Sequence, residues 1–136
     1  MRILGLDVGS KTIGVAVSDP MGWTAQGIKT LERKGHEADE LEALIREYQV
    51  EKIIVGLPLN MDGSLGSQAQ SVQKFADFLI SRFPSVPVFL QDERLSTVGA
   101  ERSLLEADLS REKRKKVIDK MAAVFILQGY LNSLQT

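Results

Sequence analysis

Apolar and polar residues alternate along the first quarter of the chain in the manner of β-strands. Residues 2–8 form a largely apolar run, and residues 12–18 alternate between small and aliphatic side chains. The Gly-Ser-Lys sequence at 9–11 favours a turn, so these segments predict a β-hairpin. Residues 22–31 predict a third strand, although the Ala, Gln and Gly at 25–27 are poor strand formers.

The apolar pattern changes to helical spacing further along the chain. Apolar residues recur every three or four positions between 41 and 48, and again between 72 and 83, which predicts two helices. Two short apolar runs, 52–56 and 88–90, predict the fourth and fifth strands. The stretch 57–66 contains Pro, Asn, Asp and two Gly, and therefore predicts a loop.

The last third of the chain predicts two more helices. One begins near Ser96 or Thr97, a charged segment covers 106–116, and an apolar helix covers 117–134. Three hairpin-linked strands followed by strand–helix alternation predict an α/β fold with a five-stranded mixed sheet. Its first three strands are antiparallel, the others are parallel, and helices cover both faces. The 136 residues predict a single domain, 1–136.

Composition excludes several kinds of chemistry. The chain has no cysteine, so thiolate nucleophiles, zinc fingers and iron–sulfur clusters are excluded, and any metal must bind to oxygen ligands. The single histidine, His36, lies in a polar stretch and is interpreted as a solvated loop residue. No apolar run approaches the roughly 20 residues that span a membrane. We therefore expect a cytoplasmic protein with no membrane partner.

Three acidic residues, Asp7, Glu93 and Asp119, occupy positions where packing alone would favour apolar or neutral residues. Asp7 lies in the first strand on the same face as Gly5, and Glu93 follows the fifth strand at the sheet edge where α/β sites form. Asp119 precedes Ala122, Ala123 and Ile126 by three, four and seven residues, so it heads an apolar face at the start of the last helix. The three acids therefore occupy positions that can converge.

Each acid also has a purely structural interpretation. The glycines beside Asp7 could admit a closely packed helix while Asp7 caps a turn. Residues 92–94, Asp-Glu-Arg, could cap a helix and form a surface ion pair. Asp119 in a first helical turn would gain about 0.3–1 kcal/mol from the helix macrodipole. Each interpretation accounts for one acid, but none explains why all three acids occupy positions that can converge.

Converging carboxylates form a site of hard oxygen ligands, which suits Mg²⁺ and also Mn²⁺. Such a site can hold two ions about 3.5–4 Å apart, one activating a water and the other stabilising the leaving oxygen in phosphodiester cleavage. The sequence therefore predicts a hydrolase, a metal-dependent nuclease, in which Asp7, Glu93 and Asp119 are the metal ligands and catalytic residues.

Charge is unevenly distributed, although the whole chain carries only −1. Residues 111–120 contain six basic and two acidic residues, a local charge of +4, while the 11 basic and 16 acidic residues elsewhere give −5. This segment predicts contacts with nucleic-acid phosphates, although a solvated charge run is the alternative. The candidate phosphate contacts are Lys11, Thr12, Arg94, Arg111, Lys113, Arg114, Lys115 and Lys116.

Two further features give weaker signals. Residues 56–58, Gly-Leu-Pro, with Asn60, Gly63 and Ser64, could present backbone N–H groups to a phosphate, but the sequence lacks the end of a nucleotide P-loop. The aromatic residues favour core or edge packing over base stacking, since none is interleaved with a basic motif. They are Trp23, Phe75, Phe78, Phe83, Phe89 and Phe125.

Four stretches of the chain resemble motifs of the bacterial YqgF family, in the same order. They are GLDVGSKTIGVA at 5–16, VGLP at 55–58, DERLST at 92–97 and KKVIDKMAA at 115–123, and the resemblance covers essentially the whole chain. It implies a ribonuclease H-like fold and a cytoplasmic nuclease, described as a Holliday-junction resolvase and as a processing nuclease for the 5′ end of pre-16S rRNA. It also implies that Asp7, Glu93 and Asp119 correspond to the catalytic acids of that family.

Other functions stay open at this point. Junction resolvases of this fold take an acid from the end of the fourth strand, where this chain has Gly56, so cleavage of four-way DNA is an alternative to processing of structured RNA in ribosomal precursor particles. A non-catalytic nucleic-acid-binding or ribosome-assembly module is a second alternative. Residues 6–10 also resemble the first phosphate motif of actin-like and sugar kinases. Those kinases bind ATP between two lobes, whereas the length of this chain predicts one domain. Both a monomer and a homodimer are compatible with the sequence.

Overall fold

The structure, a computed structural model, describes residues 2–93 and 111–134, and only the backbone of residues 111–120. Eight helices and strands follow one another along this part of the chain. They are β1 (Arg2–Val8), β2 (Thr12–Ser18), β3 (Ala25–Glu32), α1 (Glu37–Tyr48), β4 (Val50–Leu57), α2 (Ser67–Arg82), β5 (Val88–Asp92) and α3 (Arg111–Ser133).

The five strands form one mixed sheet in the order β3-β2-β1-β4-β5. β1, β2 and β3 pair antiparallel, whereas β4 pairs parallel with both β1 and β5. This confirms the predicted topology. The carboxyl ends of β1, β4 and β5 therefore meet at one edge of the sheet, which we call the carboxyl edge.

One face of the sheet is covered by α1 and α2. The side chains that alternate toward this face are large and aliphatic, so each strand contributes to one continuous hydrophobic core. From the first two strands they are Leu4, Leu6, Val8, Ile13, Val15 and Val17. α2 contributes Val72, Phe75, Ala76 and Leu79, and Phe83 directly after the helix is also buried, as the periodicity predicts. Ile80, at the margin of that stripe, is 50% exposed.

The other face is covered by α3, which lies across β1, β2, β3 and β4. Its buried residues pack against small or aliphatic strand residues, namely Ile3, Ala16 and Ile54 with Ala123, Ile126, Leu127 and Leu131. The later half of α3 is fixed away from the carboxyl edge. The amide of Gln128 accepts a bond from the N–H of Ala25 (2.9 Å) and donates to the Trp23 carbonyl (3.0 Å). The Lys52 amine also donates to the Tyr130 hydroxyl (2.9 Å).

Two elements differ from the sequence prediction. β3 covers Ala25–Glu32 and not 22–31, because the N–H groups of residues 23 and 24 donate to Asp19 in a loop. Residues 25–27 pair with β2 across a bulge between Val15 and Ala16, as predicted, despite their low strand propensity. The charged residues 111–116, predicted to precede the last helix, belong to α3. Lys, Arg and Glu are good helix formers, which accounts for the longer helix. The helix predicted near Ser96 lies outside the described residues.

A search of the described residues for a membrane-spanning helix found none of sufficient length and hydrophobicity.

Candidate active site

Asp7 lies at the carboxyl edge on the face covered by α3. It is the next-to-last residue of β1 and is partly buried. Side chains alternate along a strand, so Asp7 shares a face with Ile3 and Gly5, both of which face α3. Asp7 pairs across the sheet with Gly14 of β2, so no side chain lies on that neighbour.

The carboxylate of Glu93 folds back from the end of β5 over β4. A Cβ atom placed on Gly56 would lie 2.6 Å from Glu93 Oε1, and this oxygen is shielded from solvent. Leu6 of β1 pairs with Val55 of β4, so Asp7 and Gly56 are the next positions along these neighbouring strands. Glu93 therefore occupies the space that a β4 side chain would take, beside the strand that carries Asp7.

The glycine in the middle of β1 has a packing role. A Cβ atom on Gly5 would lie 2.6 Å from Leu127 Cβ and 3.2 Å from the Ala123 carbonyl oxygen. Gly5 thus admits the backbone of α3, which confirms the close-packing interpretation of this glycine. This packing accounts for the glycine at position 5 and does not by itself require an acid at position 7.

The third predicted acid, Asp119, lies in α3, and its side chain lies outside the described residues. The prediction that it stands in the first helical turn is wrong, because α3 already includes Arg111. More than two helical turns separate the two positions, so an interaction with the helix N-terminus does not explain this acid. Ala123, one turn later, is buried over β1.

Among residues 2–93 and 121–134, no group of three His, Asp or Glu side chains is arranged to hold a metal ion. Asp7 and Glu93 lie within that part and Asp119 lies outside it. The predicted set of three ligands therefore stays a prediction.

The β1–β2 turn carries two of the predicted phosphate contacts. Lys11 is exposed and Thr12 is partly buried, and the Thr12 carbonyl accepts the N–H of Gly9 (2.8 Å). Arg33, a residue that the sequence did not single out, fixes this turn from the end of β3. Its guanidinium donates to the Gly9 carbonyl (2.7 Å), and its backbone N–H donates to the Lys11 carbonyl (2.9 Å).

Gln68 of α2 binds the carbonyl of Val8, the residue before Gly9, since its side-chain amide donates to Val8 O (3.0 Å). Nothing in the local sequence signals the contacts of Arg33 or Gln68, because both are made across long chain separations. Gly56 could have been recognised from the loss of a side chain at the end of a β-branched run.

The loop after β4 does not form the phosphate cradle considered from the sequence. The N–H of Gly63 donates to Asn60 O (2.8 Å), and the N–H of Asn60 donates to Ser64 O (3.0 Å). The N–H of Ser64 donates to Asp62 Oδ1 (2.9 Å). These donors are used within the loop, so they are not presented to an anion.

The remaining predicted phosphate contacts lie beyond what the structure describes. Arg94 lies outside the described residues. Of Arg111, Lys113, Arg114, Lys115 and Lys116, only the helical backbone is described.

Solved structures with this architecture define the fold class. Thermus thermophilus RuvC in complex with a Holliday junction substrate matches with a TM-score of 0.62 at 13% identity, over 99% of this chain and 96% of that chain. The fowlpox virus resolvase in complex with Holliday junction DNA matches with a TM-score of 0.62 at 14% identity, over 100% of both chains. The fold is that of the ribonuclease H-like resolvases.

The sequence itself identifies the family. Residues 1–133 match the profile of the RuvX family, described as Holliday junction resolvase, and the chain belongs to this family. Relatives from Desulfitobacterium hafniense, Clostridium kluyveri and Listeria monocytogenes are 59%, 57% and 57% identical. They match 99%, 98% and 98% of this chain over 94%, 98% and 99% of their own lengths, and each is named "Putative pre-16S rRNA nuclease". The resemblance to the YqgF family is thereby confirmed.

Proposed function

We propose that this protein is a cytoplasmic, metal-dependent nuclease that processes the 5′ end of pre-16S rRNA during ribosome biogenesis. The observation that carries the proposal is the seating of the Glu93 carboxylate over Gly56, beside the strand position of Asp7 and on the same sheet face. The names of relatives that are 57–59% identical support RNA as the substrate.

The chemistry of the donor set fits a hard divalent cation, Mg²⁺ or Mn²⁺. Asp7 and Glu93 provide carboxylate oxygens on one face, and Glu93 Oε1 is shielded from solvent over Gly56. Asp119 completes the proposed ligand set. Its backbone lies one turn before Ala123, which packs over β1. A bound Mg²⁺ at these acids supplies a Lewis acid for phosphodiester hydrolysis.

The residues around the acids bind and orient the substrate in this proposal. Lys11 and Thr12 contact phosphates from the β1–β2 turn, whose shape Arg33 maintains. Arg94 contacts the strand beside Glu93. The basic residues of α3, Arg111, Lys113, Arg114, Lys115 and Lys116, neutralise further phosphates and add a salt-dependent contribution to RNA affinity.

The test is cleavage of a purified pre-16S rRNA 5′ fragment in Mg²⁺ by the wild type, by Asp7→Asn and by a control, Glu51→Gln. Asp7→Asn removes one ligand charge, so we expect at least about a hundredfold loss of rate, equal to several kcal/mol in the barrier. Glu51 is an exposed acid at the start of β4, and its variant should cleave normally. Undiminished cleavage by Asp7→Asn would contradict the metal mechanism.

Cleavage of four-way DNA is the second candidate function. It is favoured by the description of the family as Holliday junction resolvase and by a fold shared with resolvases bound to junctions. The same preparation is therefore offered a four-way junction in parallel. Cleavage of the junction but not the rRNA fragment would favour the resolvase, and binding without cleavage of either would favour a non-catalytic module.

A further inference from the structure

A cavity of about 380 Å³ opens on the face of the sheet opposite the acids. It lies between α2, the start of α1 and the segment that joins β3 to α1. The side chains that line it combine aromatic rings, cations and hydrogen-bonding groups. They are Arg33, Glu37, Ser71, Lys74, Phe75 and Phe78. Its volume lies within the range of small-ligand sites in proteins, about 300–1,000 Å³.

The aromatic wall of this cavity is only partly used by the protein core. Phe75 is buried, and the Arg33 guanidinium lies 5.0 Å from its ring centroid. Phe78 lies 5.9 Å from Phe75 between ring centroids but is 44% exposed. Phe78 thus packs at the edge of the core, as the sequence predicted, and much of its ring surface faces the solvent.

The cations of the cavity outnumber its acid. Arg33 and Lys74 face one carboxylate, Glu37, which already accepts the N–H of Gly35 (2.8 Å) and pairs with Arg33 Nε (3.5 Å). Hydrogen bonds from its own N–H and that of Gly35 hold the pKa of Glu37 below its usual range. Glu37 is thus a fixed anion that orients Arg33, and Lys74 adds a second positive charge to the wall.

The cavity is connected to the candidate active site through the β1–β2 turn. Arg33 lines the cavity and donates to the Gly9 carbonyl, and Gly9 follows Asp7 by two residues, about 7 Å of extended chain. Lys11 in the same turn is exposed. A nucleic-acid strand that crosses this edge of the sheet would pass Lys11 and reach the cavity within a few nucleotides.

We propose that this cavity is a nucleotide-binding pocket for an unpaired nucleotide of the RNA substrate, a few positions from the cleaved bond. The base stacks on the exposed ring of Phe78, while Lys74 and Arg33 contact the flanking phosphate. Exposed aromatic rings beside cations are the usual means of holding unpaired bases. This pocket rests on the proposed function, because its occupant is part of the substrate.

Binding of the fluorescently labelled rRNA fragment to the full chain, measured by anisotropy in EDTA, tests the pocket without cleavage. Stacking of one base predicts that Phe78→Ala weakens binding about five- to a hundredfold. Phe78→Trp should restore affinity, while Phe78→Leu, which retains apolar packing, should not. Lys74→Ala should lower the slope of log affinity against log salt by about 0.7.

Phe89→Ala is the matched control, because Phe89 is 49% exposed on β5, away from the cavity. It should bind RNA as the wild type does, and thermal unfolding verifies that each variant is folded. Wild-type affinity in Phe78→Ala or in Phe78→Leu would overturn the pocket. If the protein binds free AMP as tightly as it binds the rRNA fragment, the proposal is also overturned, since the occupant of the pocket would then be a free nucleotide.

The pocket and the proposed function fail in different ways. Loss of RNA binding in Phe78→Ala with no RNA cleavage by the wild type contradicts only the nuclease function. RNA cleavage by Phe78→Ala with an unchanged KM contradicts only the pocket.

Discussion

The two faces of the sheet are built from different residues, although both belong to the same strands. Toward α1 and α2, β1 presents Leu4, Leu6 and Val8, all buried in one hydrophobic core. Toward α3, the same strand presents Gly5 and Asp7 after Ile3. On β1, the face toward α1 and α2 therefore carries large aliphatic side chains, whereas the face toward α3 carries a glycine and an acid near the carboxyl edge.

Within β1, the residues that stabilise the fold therefore lie on one face, and the candidate catalytic residue lies on the other. Large aliphatic groups gain free energy by leaving water, and the α1/α2 face supplies most of this burial. Small residues on the α3 face let a helix approach the sheet and leave room for carboxylates. Substitutions on the two faces should consequently have different effects, even at adjacent positions.

Leu6→Ala should have the largest effect on stability. Leu6 is fully buried, so truncation should lower the free energy of unfolding by about 2–5 kcal/mol. Urea denaturation measures the loss, and cleavage per folded molecule should stay at the wild-type level. Asp7→Asn, at the next position, should change the free energy of unfolding little but should greatly lower the rate of cleavage. Similar profiles for the two variants would contradict a division between the faces.

Gly5→Ala should destabilise the protein through the backbone of α3. The new Cβ would meet Leu127 Cβ at 2.6 Å and the Ala123 carbonyl at 3.2 Å, and neither atom can move without the helix. Overpacking of this kind typically costs about 1–3 kcal/mol. A decrease in the urea midpoint measures this cost, and an unchanged midpoint would show that α3 approaches the sheet less closely.

Gly56→Ala should cost less stability than Gly5→Ala but should weaken metal binding. Its Cβ would meet the ends of side chains, Ile126 Cδ1 and Glu93 Oε1, which can rotate away. The displaced Glu93 carboxylate no longer occupies its place over β4, so we expect lower affinity for Mn²⁺ by titration calorimetry.

The double variant Gly56→Ala with Ile126→Val separates the two contacts. Valine lacks the Cδ1 atom, so the double variant should recover stability while Mn²⁺ affinity stays low. Recovery of both properties would show that Ile126, and not Glu93, is the partner that matters at Gly56.

Asp19→Asn should have the smallest effect, because Asp19 lies in the β2–β3 loop, outside both faces. Its carboxylate accepts the N–H of Trp23 (2.6 Å) and of Thr24 (3.1 Å). The hydrogen bond from Thr24, followed by that from Trp23, lowers the pKa of Asp19. This stabilisation is complete above the unfolded pKa of about 3.9 and is lost as pH falls through the lower folded pKa.

The variant should therefore show a slightly lower Tm than the wild type at neutral pH. This difference should shrink as the pH falls below about 4. A difference in Tm that is independent of pH would contradict a role for the charge of Asp19.

Most of the fold could be predicted from periodicity alone. The alternation in residues 12–18 and the helical spacing in 72–83 each reflect a single buried face, so the pattern predicts both the type of element and its orientation. The start of α3 could not be predicted, because the apolar stripe begins after the charged turns that also belong to the helix.

Contacts across the sheet edge were beyond the reach of the sequence. The position of Glu93 over Gly56 depends on how a side chain at the end of β5 turns relative to β4, which no local pattern specifies. The bond from Arg33 to the Gly9 carbonyl joins the residues that directly follow β3 and β1, two strands that are not neighbours in the sheet order. Such contacts depend on the whole sheet, whereas strands and helices depend on short segments.

The contact between Gly5 and the Ala123 backbone has a consequence for the timing of activity. Ala123 follows Gly5 by more than a hundred residues, so the two partners are synthesised at different times. Since chains emerge from the N-terminus, β1 and its aliphatic core can assemble while α3 is still being made. The acid-bearing face cannot close until α3 docks, so a nascent chain would acquire its fold before it acquires its site.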